Sequence, residues 1–337
     1  MNPALIDVSV LLIFFNRPDL FSQVFEQVKK ARPARLFLYQ DGPRTDNDME
    51  GIEKCREIVS DIEWECEVHT KFQNKNYGCD PSGYLADKLA FSITDKCIIL
   101  EDDCVPSVSF FKFCKEMLDK YEHNPRIWMI SGFNHEEISV NVDSDYFFTE
   151  FMSIWGWATW RRVIDRWDSQ YDFLNNKDQI EKVSRLIDER KLRKDFIQFC
   201  KDHKSSGKEH FETILWSSMI LNNGLSIMPV KNMINNVGAT TNSTHFNSGI
   251  KTMPRNYRKI FTMPSYELTF PIKHTDKIEP NERHREEVYK ILAWNHPLIK
   301  VGRSFEELWL NLKYGNFKNI KKSLRNRAKL CIKTLKG

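Results

Sequence analysis

No two of the eight cysteines form a CxxC pair: they stand at Cys55, Cys66, Cys79, Cys97, Cys104, Cys114, Cys200 and Cys331. That spacing argues against a zinc ribbon or a thioredoxin-type redox site. Cys97 lies inside an apolar run, where a thiol behaves as a small hydrophobe. No apolar run is long enough to cross a bilayer; the best, Val8–Phe15, falls far short of the roughly twenty residues required. It also has no basic flank and is too short for a secretory h-region with a cleavage site. A reducing, cytoplasmic location is therefore expected. There is no internal repeat and no low-complexity linker. The 337 residues suit one large domain, or one domain with a smaller lobe. Lastly, no acid occurs from Lys313 to Gly337, where nine Lys and Arg stand; without those nine the formal charge of +4 becomes −5. A mildly acidic body with a basic tail implies contact with something anionic, a membrane surface or nucleic acid. No RNA- or DNA-binding module accompanies the tail, so nucleic acid is not expected.

The first 130 residues alternate between two periodicities. Val8–Phe15 reads as a strand covered on both faces. Leu20, Val24, Phe25 and Val28 then recur at helical spacing, up to Pro33. Further strands are predicted at Arg35–Gln40, Glu65–Phe72, Lys96–Leu100 and from Trp128, with helices over Met49–Val59, Ser82–Phe91 and Phe110–Tyr121. Such alternation predicts an α/β fold, a mostly parallel Rossmann-like sheet flanked by helices. Ligands of these sheets bind beyond the carboxyl ends of the strands. The second half is less regular. Phe133–Asp145 and Asn232–Phe246 read as loops, Ile154–Trp167 as an aromatic segment turning into a helix, and Asn176–Lys204 as a charged amphipathic helical stretch. Phe211–Leu221 reads as a helix, Leu225–Met228 as a short strand, and the chain after Pro297 as basic and helical.

Three predicted strand ends finish in polar residues: Asn16-Arg17-Pro18, Asp41-Gly42 and Glu101-Asp102-Asp103. Adjacent carboxylates at a sheet's carboxyl edge suit a hard cation, Mn²⁺ or Mg²⁺, shared with a diphosphate. The alternative is a solvated acidic turn that caps the next helix. For Asp41 it is a plain turn residue before Gly42.

The segments LLIFFNRP, LYQDGPR, NYGC, IILEDDCVPS and FFKFC, in that order, resemble the GT-A glycosyltransferases of the N-acetylglucosaminyltransferase I type, whose donor site carries an EDD form of the DXD motif. WGWATWRRVIDRW resembles a bacterial branch found with surface-polysaccharide genes. The resemblance covers roughly residues 8–247. It implies a GT-A transferase domain over residues 1–250; the rest of the chain is expected to form a C-terminal helical extension, 251–312, packing on that domain, and a basic amphipathic tail, 313–337. It implies transfer of a sugar, with inversion, from a nucleotide-sugar donor, foremost a UDP-sugar, to a glycan or lipid-linked acceptor.

Carried over by position, Asn16 and Arg17 line the nucleotide, Asp41 accepts from the base, Glu101 and Asp102 touch donor sugar and ribose, and Asp103 is the direct metal ligand. Asn76 and Gly78 lie in a segment that packs near the donor; a glycine turn before a capped helix is the alternative. His245 matches a histidine that meets the metal or the diphosphate. For the general base that deprotonates the acceptor hydroxyl, the family points to Glu212, with Glu209 as the alternative. Trp155, Trp157 and Trp160 suit stacking on sugar faces or a place in the core. Two rival readings are a sugar-nucleotide nucleotidyltransferase and a non-catalytic glycan-binding or scaffold protein. The first typically opens with a Gly-rich phosphate loop that LLIFFNRP lacks, and the intact Glu101-Asp102-Asp103 argues against the second. The tail could hold the enzyme at an anionic inner membrane face, or a C-terminal helix could pack Leu308–Leu312 on the body.

Overall fold

A computed structural model of the chain describes residues 1–239, 250–317 and 319–321. The first half builds β1 (Ile6–Phe14), α1 (Pro18–Ala31), β2 (Pro33–Gln40), α2 (Met49–Ser60), β3 (Glu67–Phe72), α3 (Cys79–Ile93), β4 (Lys96–Glu101), β5 (Cys104–Pro106), α4 (Ser109–Lys120) and β6 (Ile127–Ser131). The second adds β7 (Tyr146–Thr149), β8 (Trp157–Trp160), α5 (Arg161–Ile164), α6 (Lys177–Leu186), α7 (Arg190–Ser206), α8 (Phe211–Leu221), β9 (Leu225–Pro229), β10 (Ile234–Asn236), α9 (Arg255–Phe261), α10 (Glu282–Leu292) and α11 (Pro297–Lys313).

Eight strands form one sheet in the order β3-β2-β1-β4-β8-β6-β9-β7, and β10 pairs with β5 beside it. The sheet is parallel across β3-β2-β1-β4 and between β6 and β9, while β8 and β7 run against their neighbours. The expected mostly parallel α/β sheet is therefore present. Its physical basis is plain in β1. Val8, Val10, Leu12 and Phe14 enter one core with α1, α2 and α4, and Leu11 enters a second with α3, α5 and α8. Side chains of a strand alternate between faces, so a strand covered on both must be apolar throughout. Helix α8 is buried on two sides, with Phe211, Leu215 and Met219 against the sheet and Ile214 and Ile220 against α6 and α7. A helix hydrophobic all round is an interior one.

Several expectations need correction. Trp157–Trp160 is a strand, antiparallel to β4 with Cys97 opposite Thr159, and only the short α5 follows it. Tyr146–Thr149, unforeseen, forms the far edge strand against β9. The 176–204 stretch is two helices. Asn176 caps α6 through Asp178 and Gln179 N–H, and Glu189 caps α7 through Lys191 and Leu192 N–H. Each cap satisfies helix N–H groups that have no partner of their own. The expected loop from Asn232 holds β10, paired with Cys104–Pro106. In α11 the buried residues are Leu310 and Asn311, while Leu308, Trp309 and Leu312 are exposed, so that helix does not pack the face expected. The chain after 250 is tied back to the body. Glu267 accepts from the N–H of Val108 at 2.9 Å and of Ser109 at 2.7 Å, at the start of α4, and Asn281 N–H donates to Phe148 O at 2.8 Å. Among the described residues, no helix is long and apolar enough to cross a membrane.

Asp87 is fully buried on α3, and among the described residues neither carboxyl oxygen meets a hydrogen-bond partner. Burial pushes its pKa well above the ordinary carboxylate value. The folded chain thus holds a proton that the unfolded chain releases. The stability is complete below the usual carboxylate pKa and is lost as pH rises towards the folded value. Asp87→Asn is expected to match the wild type near pH 4 and to exceed it at pH 8 by more than about 1 kcal/mol, since each pH unit of such linkage is worth about 1.4 kcal/mol. Urea unfolding at the two pH values checks this; equal pH slopes would refute it.

Candidate active site

Strand order reverses between β1 and β4: β2 and β3 lie to one side of β1, and β4 to the other. At such a switch point the outgoing loops diverge and leave a crevice beyond the strand ends. Here the loops are Phe15–Arg17 after β1 and Glu101–Asp103 after β4, with Ile13 opposite Glu101 in the last paired position. The guanidinium of Arg17 closes the gap. Its Nε lies 3.2 Å from Asp102 Oδ2, one Nη pairs with Asp102 Oδ1, and the same Nη lies 2.9 Å from Asp103 Oδ2. The Phe15 N–H also points at Asp102, at 3.4 Å. Burial opposes the charge on Arg17, but the two carboxylates outweigh it and hold the cation.

A cavity of about 420 Å³ opens above this pair. It is lined by Arg17, Glu101 and Asp103 from the strand ends, by Asp80, Phe211 and Glu212 from α3 and α8, and by Trp155, Phe261, Asn236 and Gly238. Asp103 is fixed from several sides. Its backbone O accepts from Val237 N–H at 2.8 Å, and Asn236 Nδ2 lies 3.5 Å from Oδ1. A Cβ at position 238 would sit 2.0 Å from Asp103 Oδ2, so only glycine leaves that oxygen room. Glu101 has no side-chain partner among the described residues. Burial, then Asp103 and Asp102, push its carboxyl up to about 8.

The acids suggested for the general base separate here. Glu212 lines the cavity and Glu209 does not. Glu212 is exposed towards the cavity, yet burial by the enclosing wall, followed by Asp80, raises its pKa. Asp80 Oδ1 accepts the Phe211 N–H at 2.9 Å and thereby fixes the first turn of α8, which carries Glu212. Asp80 was not expected at the site; its part in α8 comes from an approach 131 residues away. Asn236, Gly238 and Phe261 were likewise missed, because nothing local to them marks a cavity.

The remaining expected site residues fall into three groups. Trp155 is half-buried at the cavity wall, whereas Trp157 is only 2% exposed and packs edge-on to Phe211, leaving little face for stacking. Asp102, under Arg17, and the group Asn16, Asp41, Asn76 and Gly78 stand beside the cavity without lining it. Asp41 is saturated from within. It accepts from Gly42 N–H at 2.9 Å, Tyr77 N–H at 2.9 Å, Gly78 N–H at 3.0 Å and Asn76 Nδ2 at 2.9 Å, about the acceptor capacity of one carboxylate. It pins the 76–78 turn, where Gly78 has φ +89° and starts α3, a backbone state open chiefly to glycine. Asn16 donates to Asp48 at 2.6 Å. His245 lies outside the described residues.

Among the described residues, no group of three or more His, Cys, Asp or Glu side chains is arranged to hold a metal ion. A hard cation completed by substrate phosphates needs only one or two carboxylates. Glu101, without a partner, and Asp103, with one oxygen only weakly engaged, fit that smaller role; Asp102, with both oxygens on Arg17, does not.

No protein-family model matches the chain. No curated protein matches it either. One solved structure that resembles it is the 4-diphosphocytidyl-2C-methyl-D-erythritol synthase of Anaerococcus prevotii, at 7% identity and a TM-score of 0.28, over 50% of this chain and 78% of that one. A likeness this slight does not bear on function.

If Asp41 serves to pin the turn, Asp41→Ala should lower stability by about 3 kcal/mol, since it strands several buried donors. Unchanged urea unfolding together with weakened UDP binding would instead make Asp41 a contact to the base.

Proposed function

We propose that this chain is a metal-dependent, inverting glycosyltransferase that moves a sugar from a nucleoside-diphosphate donor, foremost a UDP-sugar, to a glycan or lipid-linked acceptor. The observation that carries the reading is one cavity that gathers the switch-point carboxylates Glu101 and Asp103 and a further carboxylate, Glu212, from α8. The first two suit a diphosphate leaving group and Glu212 suits an acceptor hydroxyl. Single displacement needs both tasks served in one sugar-sized space.

Asp103 and Glu101 would hold Mn²⁺ or Mg²⁺, which supplies charge neutralisation for the departing diphosphate. Arg17 fixes Asp103 in orientation and adds a fixed positive charge at the same end of the cavity. Glu212 takes the proton from the acceptor hydroxyl. Its raised pKa makes it a stronger base than an ordinary surface carboxylate. Trp155 and Phe261 give the cavity an apolar face against which a sugar ring can lie.

Titration calorimetry with UDP, with and without Mn²⁺, tests the donor half; binding that ignores the metal would sink it. Asp103→Ala is expected to abolish both metal-dependent UDP binding and transfer while the chain stays folded. A variant with wild-type transfer rates would remove Asp103 from the site.

Glu212→Gln is expected to keep UDP affinity and to lose transfer by roughly 10²–10⁴-fold. The wild-type rate should rise with pH through a value above the usual carboxylate range, because only the ionised base accepts a proton. Should Glu209→Gln be the inactive variant instead, the base lies three residues earlier.

A further inference from the structure

Helix α11 turns an apolar stripe outward. Leu298, Val301, Phe305, Leu308 and Leu312 follow one another at alternating steps of three and four residues, with Trp309 alongside, so they share one face. All six are exposed, Leu298 to 84%, Phe305 to 68% and Trp309 to 57%. The opposite face does the packing. Arg303 donates to Ile291 O at 2.6 Å and lies over the Tyr257 ring, Glu306 accepts from Arg255 N–H at 2.9 Å, and Leu310 is buried. The helix is therefore fastened to the body on one side, with an apolar ridge left bare on the other. A bare ridge of this extent on a soluble chain marks an interaction surface.

We propose that this face docks on the surface of a bilayer containing anionic lipid. Charge decides the occupant. From Lys313, the last residue of α11, to Gly337 the chain carries nine Lys and Arg and no acid. The three-four spacing alone would also suit a second copy, but a second copy brings nine more cations of the same sign, whereas anionic headgroups supply the opposite charge. An apolar ridge followed in sequence by cations is the composition of a helix that lies in the membrane interface. Each cation near such a surface strengthens binding by about fivefold at low salt. The placement also suits the cavity. Helix α9, which holds α11 through Tyr257 and Arg255, ends at Phe261 on the cavity wall. One helix, α9, thus connects α11 to the cavity lining. The docking itself rests on α11 and the basic segment, and not on the sugar-transfer reading.

The test is flotation of the full-length protein with phosphatidylcholine vesicles, with and without phosphatidylglycerol, at low and high salt. The protein should float only with the anionic vesicles, and less at high salt. Phe305→Glu combined with Trp309→Glu should reduce the bound fraction about tenfold or more, with the thermal midpoint and the UDP titration unchanged. Leu298→Glu, at the most exposed position, repeats the test in a variant that alters a single side chain. Equal flotation with neutral vesicles, absence of flotation at low salt, or full binding by both variants would overturn the proposal. A dimer seen by light scattering that Phe305→Glu dissolves, without flotation, would assign the face to a second copy and overturn it as well. Failure to bind UDP would count against sugar transfer and leave the flotation result standing.

Discussion

The guanidinium of Arg17 between Asp102 and Asp103 is the contact on which the site depends. It joins the carboxyl ends of β1 and β4 where the strand order reverses, and so fixes the acidic lining of the cavity. Three consecutive acids, Glu101 to Asp103, cannot be held together by packing alone. Like charges 4 Å apart repel by about 4 kcal/mol at the effective dielectric of a protein surface. A buried ion pair adds little net stability over an apolar replacement, but removing one partner leaves a buried charge exposed to the full desolvation penalty. Arg17 therefore acts mainly as an organiser. It also falls short of neutrality, as one cation against three acids, and Glu101 carries the deficit in its raised pKa. An acidic lining that its own residues leave short of positive charge is suited to a cation that arrives with the substrate.

The carboxylates around the crevice divide by how well they are supplied with donors. Asp41 is filled by the 76–78 turn, and Asp48, with Arg44 in first place and the Arg44 and Thr45 N–H groups behind it, falls to about 2. These two acids fix loops: the turn before α3, and through Asn16 the chain leaving β1. Glu101 and Glu212 have no such supply, and burial moves both upward. The same chemical group thus serves as a fastener or is left free to titrate upward according to its surroundings. Glu101 and Glu212 line the cavity, and Asp41 and Asp48 stand beside it.

That division explains what the sequence disclosed and what it withheld. The strands β1, β2 and β4 and the residues at their ends were readable, because strands covered on both faces are continuous apolar runs and the polar residues that stop them have nowhere else to go. The strand Trp157–Trp160 was not. Its aromatic surroundings fit either periodicity, and only pairing to Lys96–Ile99 decides for a strand. Asp80, Asn236 and Gly238 act through partners more than a hundred residues away, and no local pattern encodes that. Nothing local to Asp87 marks it out, and only the packing of α3 reveals a carboxyl with no partner among the described residues. Whether Leu308 and Leu312 are covered stayed open for the converse reason: an amphipathic pattern shows that a face is apolar, and cannot show what covers it.

Glu212 shows how competing effects set the chemistry of the cavity. It stands in the first turn of α8, where the helix dipole favours the carboxylate by about 0.3–1 kcal/mol. That would lower its pKa by less than one unit, since one unit is worth about 1.4 kcal/mol. The shift runs upward instead, because burial dominates and Asp80 adds to it. Asp80 therefore acts twice on the same turn. By accepting the Phe211 N–H it orders the helix start, and by its charge it makes the neighbouring carboxylate harder to ionise. A surface acid at the start of a helix would be a weaker base than free glutamate. Enclosed by the cavity lining and set beside a second acid, Glu212 becomes a stronger one, while the Asp80 carboxylate that accepts the Phe211 N–H ties α3 to α8.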